Sequence, residues 1–282
     1  MILVINYKKM EKKEFISMAF ADINSVDEFE LRSLMGKIMK DLNHGRIRAA
    51  EIVKGDVVVH EWVKQAILLK FKITHAKLIK TGIGNRESEM YSFFDKIDLK
   101  FSGYSKEDFE KFEFRAVPGA FVRDGAHIGK NCVIMPSFIN MGAYIGEKTM
   151  IDSGVTIGSC AQIGKHCHIS SNIVIAGVLE PIQAAPVIIG DNCFVGACSV
   201  IAEGVVIEDN CVIAMGVSIG QSTRIINRET GEIFYGRVPS GSVVVSGSYD
   251  CGKGVSVACA VIVKKIDKST REKTSINDLL RD

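Results

Sequence analysis

Every sixth residue over two long stretches is aliphatic and β-branched: Ile145, Ile151, Ile157, Ile163, Ile169 and Ile175, then Ile189, Val195, Ile201, Ile207, Ile213 and Ile219. A helix needs apolar spacing near 3.6 and a half-buried strand a spacing of 2, so a period of six serves neither. It suits a solenoid in which each hexad is one short strand plus a corner. The residue after the aliphatic is small in ten of the twelve steps, Gly146, Gly164, Ser170 and Ala214 among them. Two positions before the aliphatic stands another compact residue, such as Ala143, Thr149, Cys167, Cys193 or Cys211. Small residues let the backbone turn and stacked coils approach, while the aliphatics fill the interior. Three hexads close a triangular coil of 18 residues. The expected fold is mainly β, built on a parallel β-helix.

Composition removes several function classes. A formal charge of +2 on 282 residues gives no reason to expect nucleic acid or a membrane surface as partner. The opening Met1-Ile-Leu-Val-Ile5 is too short for a signal h-region and lacks a small-residue cleavage site. No stretch approaches the roughly 20 apolar residues of a membrane span. A cytoplasmic protein is expected. The eight cysteines include no Cys-x-x-Cys pair, and Cys167, Cys193 and Cys211 fill the compact slot of the hexad. They are expected as reduced, small apolar residues rather than as disulfides or zinc ligands.

Three regions are expected: an N-terminal α/β domain over 1–115, the β-helix over 116–241, and strands with a short helix over 242–282. Ser25-Val-Asp-Glu28 matches a capping box and would open a helix with Phe29, Leu34, Ile38 and Leu42 on one face, closed by Gly45. Residues 46–53 and 56–59 around Lys54-Gly55 suggest a hairpin, and 60–73 a helix packed through Trp62, Ala66, Leu69 and Ile73. Gly82-Ile-Gly84 lacks the strand–helix setting of a phosphate loop and reads as a turn. The solenoid is expected from about Val117, with weaker hexads at Ile128 and Ile134 and one residue missing before Ile139. Between Ile175 and Ile189 the step is 14, so an excursion should bulge out around 177–186. After Gly220 the period fails. Residues 224–237 suggest a projecting hairpin, 242–266 another around Asp250-Cys-Gly-Lys-Gly254, and 275–281 a terminal helix.

The exceptions to the repeat mark the candidate site. Asp152 and Glu208 stand where the corner calls for Gly, Ala or Ser. Glu208, in Glu-Asp-Asn, reads as a solvated corner, whereas Asp152 lies between Met150-Ile151 and Ser153-Gly154-Val155 with no neighbouring charge. His127, His166 and His168 are the histidines to weigh as a base, or as zinc ligands shared between subunits. Arg115, Arg224 and Arg237 sit where the repeat begins or breaks, and a guanidinium fork suits a carboxylate. Lys264 and Lys265, with Lys268 and Arg271, form a basic cluster suited to phosphates.

The runs Phe114-Arg-Ala-Val-Pro118, Met150-Ile-Asp152, Gly158-Ser-Cys-Ala-Gln-Ile-Gly-Lys165, Gly177-Val-Leu-Glu-Pro181, Gly216-Val-Ser-Ile-Gly-Gln-Ser-Thr-Arg224 and Tyr235-Gly-Arg-Val-Pro239 resemble the 2,3,4,5-tetrahydropyridine-2,6-dicarboxylate N-succinyltransferase family. Trp62-Val-Lys-Gln-Ala-Ile-Leu-Leu69 and Phe94-Asp-Lys-Ile-Asp-Leu-Lys-Phe101 are similar to it as well, so the likeness covers about residues 15–282. The resemblance implies a left-handed parallel β-helix, an exception to the right-handed crossover rule, in a homotrimer with active sites between subunits. It implies succinyl transfer from succinyl-CoA to the amine of tetrahydrodipicolinate, in diaminopimelate and lysine biosynthesis, with no permanently bound cofactor and no metal. Asp152 matches the family's key aspartate and Arg115 its substrate-binding arginine. Arg224 is a further expected substrate contact, and Ala214, Lys264 and Lys265 are expected along the CoA arm. Where many members carry an acid this chain has Val200, and Ser153-Gly154 replaces a bulkier pair. Glu203 or Glu180 could stand in for that acid, or Asp152 could serve alone. A related acetyl-CoA enzyme, a zinc hydratase using His127, His166 and His168, and a non-catalytic scaffold are the alternatives.

Overall fold

A computed structural model describes residues 10–82 and 90–270. The opening apolar run, most of the turn expected at Gly82-Ile-Gly84, Arg271 and the helix expected over 275–281 lie outside these residues. The described chain is a left-handed parallel β-helix with an α/β domain folded onto one of its faces and a long hairpin at its C-terminal end.

Each hexad contributes a two-residue strand whose second residue points inward. Ile145, Ile151, Ile157, Ile163, Ile169, Ile175, Val195, Ile201, Ile207 and Ile213 are all fully buried in one continuous core. Three faces result. The first stacks Arg115–Ala116, Val133–Ile134, Met150–Ile151, His168–Ile169, Phe194–Val195 and Val212–Ile213, and continues into the strand Ser242–Asp250. The second stacks Phe121–Val122, Phe138–Ile139, Thr156–Ile157, Val174–Ile175, Val200–Ile201 and Ser218–Ile219. The third runs from His127–Ile128 through Tyr144–Ile145, Gln162–Ile163, Ile188–Ile189 and Val206–Ile207 to Arg237–Val238. All neighbours within a face are parallel and in register, Ile145 beside Ile163 and Ile163 beside Ile189. The solenoid thus begins at Arg115, slightly before the expected Val117, because Arg115–Ala116 already pairs with Val133–Ile134. It also resumes after the break at Gly220, where Arg237–Val238 pairs with Val206–Ile207 and Val243–Val244 with Val212–Ile213.

The corner between the third and first faces explains the cysteines. Asn131, Lys148, His166, Asn192 and Asn210 take left-handed backbone there, with φ of 54–60°, a conformation Asn adopts more easily than most residues. The next residue in each coil donates to a corner carbonyl of the following coil. Cys132 Sγ reaches Gly146 O at 3.1 Å, Thr149 Oγ1 reaches Gly164 O at 2.9 Å, and Cys167 Sγ reaches Gly190 O at 3.0 Å. Cys193 and Cys211 continue the ladder to Glu208 O and Pro239 O. These thiols are therefore small donors as well as small fillers. The glycines at this corner are needed for approach, since a Cβ on Gly146 would lie 2.5 Å from the Gly164 carbonyl carbon.

The N-terminal domain carries α1 (Lys12–Ala21), α2 (Glu28–Asn43), the strands Ala50–Val53 and Asp56–Val59, and α3 (Glu61–Ile73). Helix α2 starts later than the capping-box pattern suggests. Asp27 is its N-cap, accepting from Glu30 N at 2.9 Å, while Ser25 closes a short 3₁₀ turn and donates to Asp22 O. Leu31, Met35, Ile38, Met39 and Leu42 face inward, and Phe29, expected among them, is 80% exposed. Lying two residues before Leu31, it falls on the other side of the helix. The expected hairpin turns at Lys54 and Gly55, both at positive φ.

This domain covers the third face. Ala50 packs on Ile188 and Val206, and Arg48 donates to Gln162 Oε1 at 2.8 Å while stacking 4.0 Å over Tyr144. Arg237 donates to Gly55 O at 3.0 Å and pairs with Glu208 at 2.7 Å, and Glu208 also accepts from Ser240 N. Glu208 is thus a clasp joining coil, cap and domain, not the merely solvated corner expected. The excursion around 177–186 is held by Lys64 of α3, itself fully buried, which donates to Ala184 O at 2.7 Å and Pro181 O at 3.2 Å.

Candidate active site

The corner between the first and second faces forms a column of single residues along the solenoid: Val117, Met135, Asp152, Ser170, Gly196 and Ala214, each donating its N–H to the next coil. Asp152 is the one charged side chain in that column. Its carboxylate is half-buried and held at one oxygen, where Oδ1 accepts from Ser153 N at 2.7 Å. Its other oxygen lies 3.6 Å from Nε2 of His168. That distance is just beyond hydrogen-bond length, and among the described residues the buried Nε2 has no hydrogen-bond partner. The His168 ring sits in the outward row of the first face, between Met150 on one neighbouring strand and Phe194 on the other, edge-on to Phe194 at 5.3 Å. Burial lowers the His168 pKa, and Asp152 opposes that shift. The ring is therefore neutral near pH 7.

Arg115 belongs to the same side of the solenoid. It opens the outward row of the first face, two coils before Met150, so it stands about 10 Å along the axis from the Asp152 coil. Ala214 lies three coils beyond Asp152 in the corner column, about 14 Å along the axis. Lys264 continues the outward row of the first face, the row Arg115 opens, because Val243 pairs with both Val212 and Lys264. Its Nζ donates to Asp267, and Lys265 donates to Ser240 O. Arg115, Asp152, Ala214 and Lys264 thus follow one edge from the N-terminal to the C-terminal end. Arg224 does not join them within the chain. It sits in the C-terminal cap, where Nε donates to Tyr235 Oη at 3.2 Å and the guanidinium stacks 4.4 Å over Tyr249.

The three histidines do not converge. His168 lies on the first face, His127 on the third, and His166 is exposed at the corner between them. His127 is closed in by the N-terminal domain. Its Nδ1 lies 3.2 Å from Asn43 O, its ring lies against Tyr144, and burial above all brings its pKa down to about 4. A cavity of about 280 Å³ beside it also takes in Lys100, whose pKa burial lowers to about 8. Among the described residues no three or more His, Cys, Asp or Glu side chains are grouped to hold a metal ion. Glu203 and Glu180 lie across the second face from Asp152, on its far side. Glu203 accepts from Gln221 N at 2.8 Å within its own corner, and Glu180 is exposed on the excursion.

The second face is largely open, although Phe93 meets Phe121 edge-on at 5.9 Å, and it is mostly apolar, with Thr156 and Ser218 as its polar outward positions. Its outward row includes Phe121, Phe138, Val174 and Val200, each 37–38% exposed. Asp152 stands on the margin of that face.

Residues 11–73 match the family described as tetrahydrodipicolinate N-succinyltransferase N-terminal, and 186–221 match the hexapeptide repeat of succinyl-transferase. Three similar proteins bear the name 2,3,4,5-tetrahydropyridine-2,6-dicarboxylate N-succinyltransferase. The one from Wolbachia sp. subsp. Brugia malayi is 54% identical, with 89% of each chain covered. That from Acinetobacter baylyi is 51% identical, over 89% of this chain and 90% of its own. That from Bartonella bacilliformis is 49% identical, over 97% of this chain and 99% of its own. A solved Campylobacter jejuni structure, described provisionally as a 2,3,4,5-tetrahydropyridine-2-carboxylate N-succinyltransferase, shares the fold at a TM-score of 0.53 and 17% identity. The match covers 85% of this chain and 63% of the Campylobacter protein.

Proposed function

The chain belongs to the 2,3,4,5-tetrahydropyridine-2,6-dicarboxylate N-succinyltransferase family, and from that premise we propose that it transfers succinyl at the solenoid edge bearing Asp152. Membership makes it an N-succinyltransferase of diaminopimelate and lysine biosynthesis, with succinyl-CoA as donor. The observation that carries the placement of the site is the lone carboxylate of the corner column, half-buried and oriented through Ser153.

The acceptor named by the family is a cyclic imine, which presents a free N–H only once water adds across its C=N bond. Acyl transfer then needs that nitrogen neutral and aimed at the thioester carbonyl. Asp152 accepts the N–H proton as the C–N bond forms, and the thioester C–S bond breaks to release CoA as its thiolate. Positioning of two reactants in one cleft supplies much of the acceleration. No acyl-enzyme is needed. The acceptor carries two carboxylates and the acyl group a third, so Arg115 is assigned to grip one by its fork and Arg224 another. The CoA arm runs along the first-face edge past Ala214, with its phosphates near Lys264 and Lys265. Those two lysines exchange Asp267 and Ser240 O for phosphate oxygens.

Arg224 and Asp152 are far apart in one chain, so the reading requires a second copy. The apolar second face supports this, since a protomer seated on Phe138, Val174 and Val200 would wall the margin where Asp152 stands. A cytoplasmic homotrimer with three such clefts is proposed. The test is thiol release with the cyclic dicarboxylate acceptor and either succinyl-CoA or acetyl-CoA. Succinyl-CoA should be preferred by about tenfold or more, since a carboxylate partner is left unmatched by the acetyl donor. Equal or faster turnover of acetyl-CoA would refute the donor assignment.

A further inference from the structure

We infer that His168 is the positioning residue for Asp152, donating Nε2–H to Oδ2 of the carboxylate while Ser153 N–H holds Oδ1. The inference rests on the role proposed for Asp152 and goes one residue beyond it.

Three observations meet at this imidazole. First, Nε2 is buried and has no hydrogen-bond partner among the described residues, although a buried polar atom of this kind is normally satisfied. Second, the carboxylate oxygen 3.6 Å away is the acceptor it faces, and a shift of a few tenths of an ångström brings the pair to hydrogen-bond length. Third, the ring cannot drift. It lies between the Met150 and Phe194 positions of a parallel sheet, edge-on to the Phe194 ring. Burial keeps the ring neutral, so it has one N–H to give. Asp152 is the charged group that acts on it.

With Oδ1 tied to Ser153 and Oδ2 to His168, the carboxylate plane is fixed from two sides. Its remaining lone pairs then point along a set direction into the cleft, toward the acceptor N–H. A donor aimed at the anion also favours the charged form, the one able to take a proton. Glutamine can carry its amide N–H to where Nε2 stands, and leucine fills the slot without a donor. The two variants therefore separate hydrogen bonding from packing.

The experiment compares wild type, His168→Gln and His168→Leu in the thiol-release assay at about pH 7.5, with melting temperatures alongside. His168→Leu should lose about 10- to 100-fold in kcat with KM values changed by about twofold or less. His168→Gln should recover most of kcat. Wild-type kcat in His168→Leu would overturn the inference, as would equal losses in both variants that follow the melting temperature. Asp152→Asn, run in parallel, separates the two levels. An inactive Asp152→Asn beside a fully active His168→Leu sinks the role of His168 alone, whereas an active Asp152→Asn sinks the role of Asp152 and this one with it.

Discussion

A carboxylate at a solenoid corner gives up the small residue that best suits the turn, and Asp152 does so in an apolar setting, with no Lys or Arg among the described residues pairing to it. Replacing it by Asn keeps the shape and the Ser153 contact but removes the proton acceptor. Asp152→Asn should lower kcat by about 100-fold or more with little change in melting temperature. Arg115→Lys should act differently, raising the acceptor KM by about tenfold while sparing kcat, because an ammonium cannot copy a two-point grip. His127 is off the site and carries a stability prediction instead. Its folded pKa is about 4 against an ordinary 6.5. Above 6.5 the ring is neutral in both states. As pH falls from 6.5 toward 4 the unfolded chain takes up a proton that the folded chain resists, so stability declines, by up to about 3 kcal/mol. His127→Asn keeps a donor for Asn43 O without titrating, and its melting temperature should fall less than wild type between about pH 7 and about pH 5.

The coil is held by two kinds of repeated contact, and each can be weighed. Removing one aliphatic from the stack, as in Ile163→Ala, leaves a cavity in a fully buried row and should cost about 2–5 kcal/mol in chemical denaturation. The thiol ladder makes a subtler claim. Thr149 shows that a hydroxyl can fill a rung, so Cys167→Ser should stay within about 1 kcal/mol of wild type. Cys167→Val keeps the bulk but orphans Gly190 O, and should cost about 1–3 kcal/mol. Of the eight cysteines, Cys198 and Cys251 are exposed, so a thiol reagent should modify two promptly in the folded protein and the rest only on unfolding. Burial raises the pKa of Cys160 to about 12, which keeps that thiol protonated and unreactive.

At the level of the whole molecule the three faces have different fates. The first borders the proposed site, the third is covered by the N-terminal domain, and the second offers Phe121, Phe138, Val174 and Val200 to the outside. Rows of apolar side chains this large mark contact surfaces. Phe138→Glu should therefore dissociate the proposed trimer in sedimentation and abolish turnover, although Phe138 touches no reacting atom in the proposed cleft. A trimer that survives this change with full activity would place the subunit contact elsewhere.

The periodic residues alone determined the coil, because an aliphatic every sixth position can be buried repeatedly in only one way. They marked two corners as anomalous, Asp152 and Glu208, and the uncharged neighbourhood of Asp152 singled it out. The resemblance of several motifs to a known family supplied the chemistry. Helix α2 shows where local pattern was insufficient: the capping-box pattern pointed to Ser25, but the helix is capped two residues later by Asp27, which accepts from Glu30 N. The partnership of His168 with Asp152 was equally hidden. It joins a strand residue to a corner residue sixteen positions earlier, one coil down, and only stacking brings them to 3.6 Å. Glu208 and Arg237 looked like a corner and a site candidate until the fold set them against each other and against Gly55. Spacing along a chain fixes what each residue can do for its own coil. Which side chains meet between coils, and which face is covered, is decided by the register and docking of parts distant in sequence.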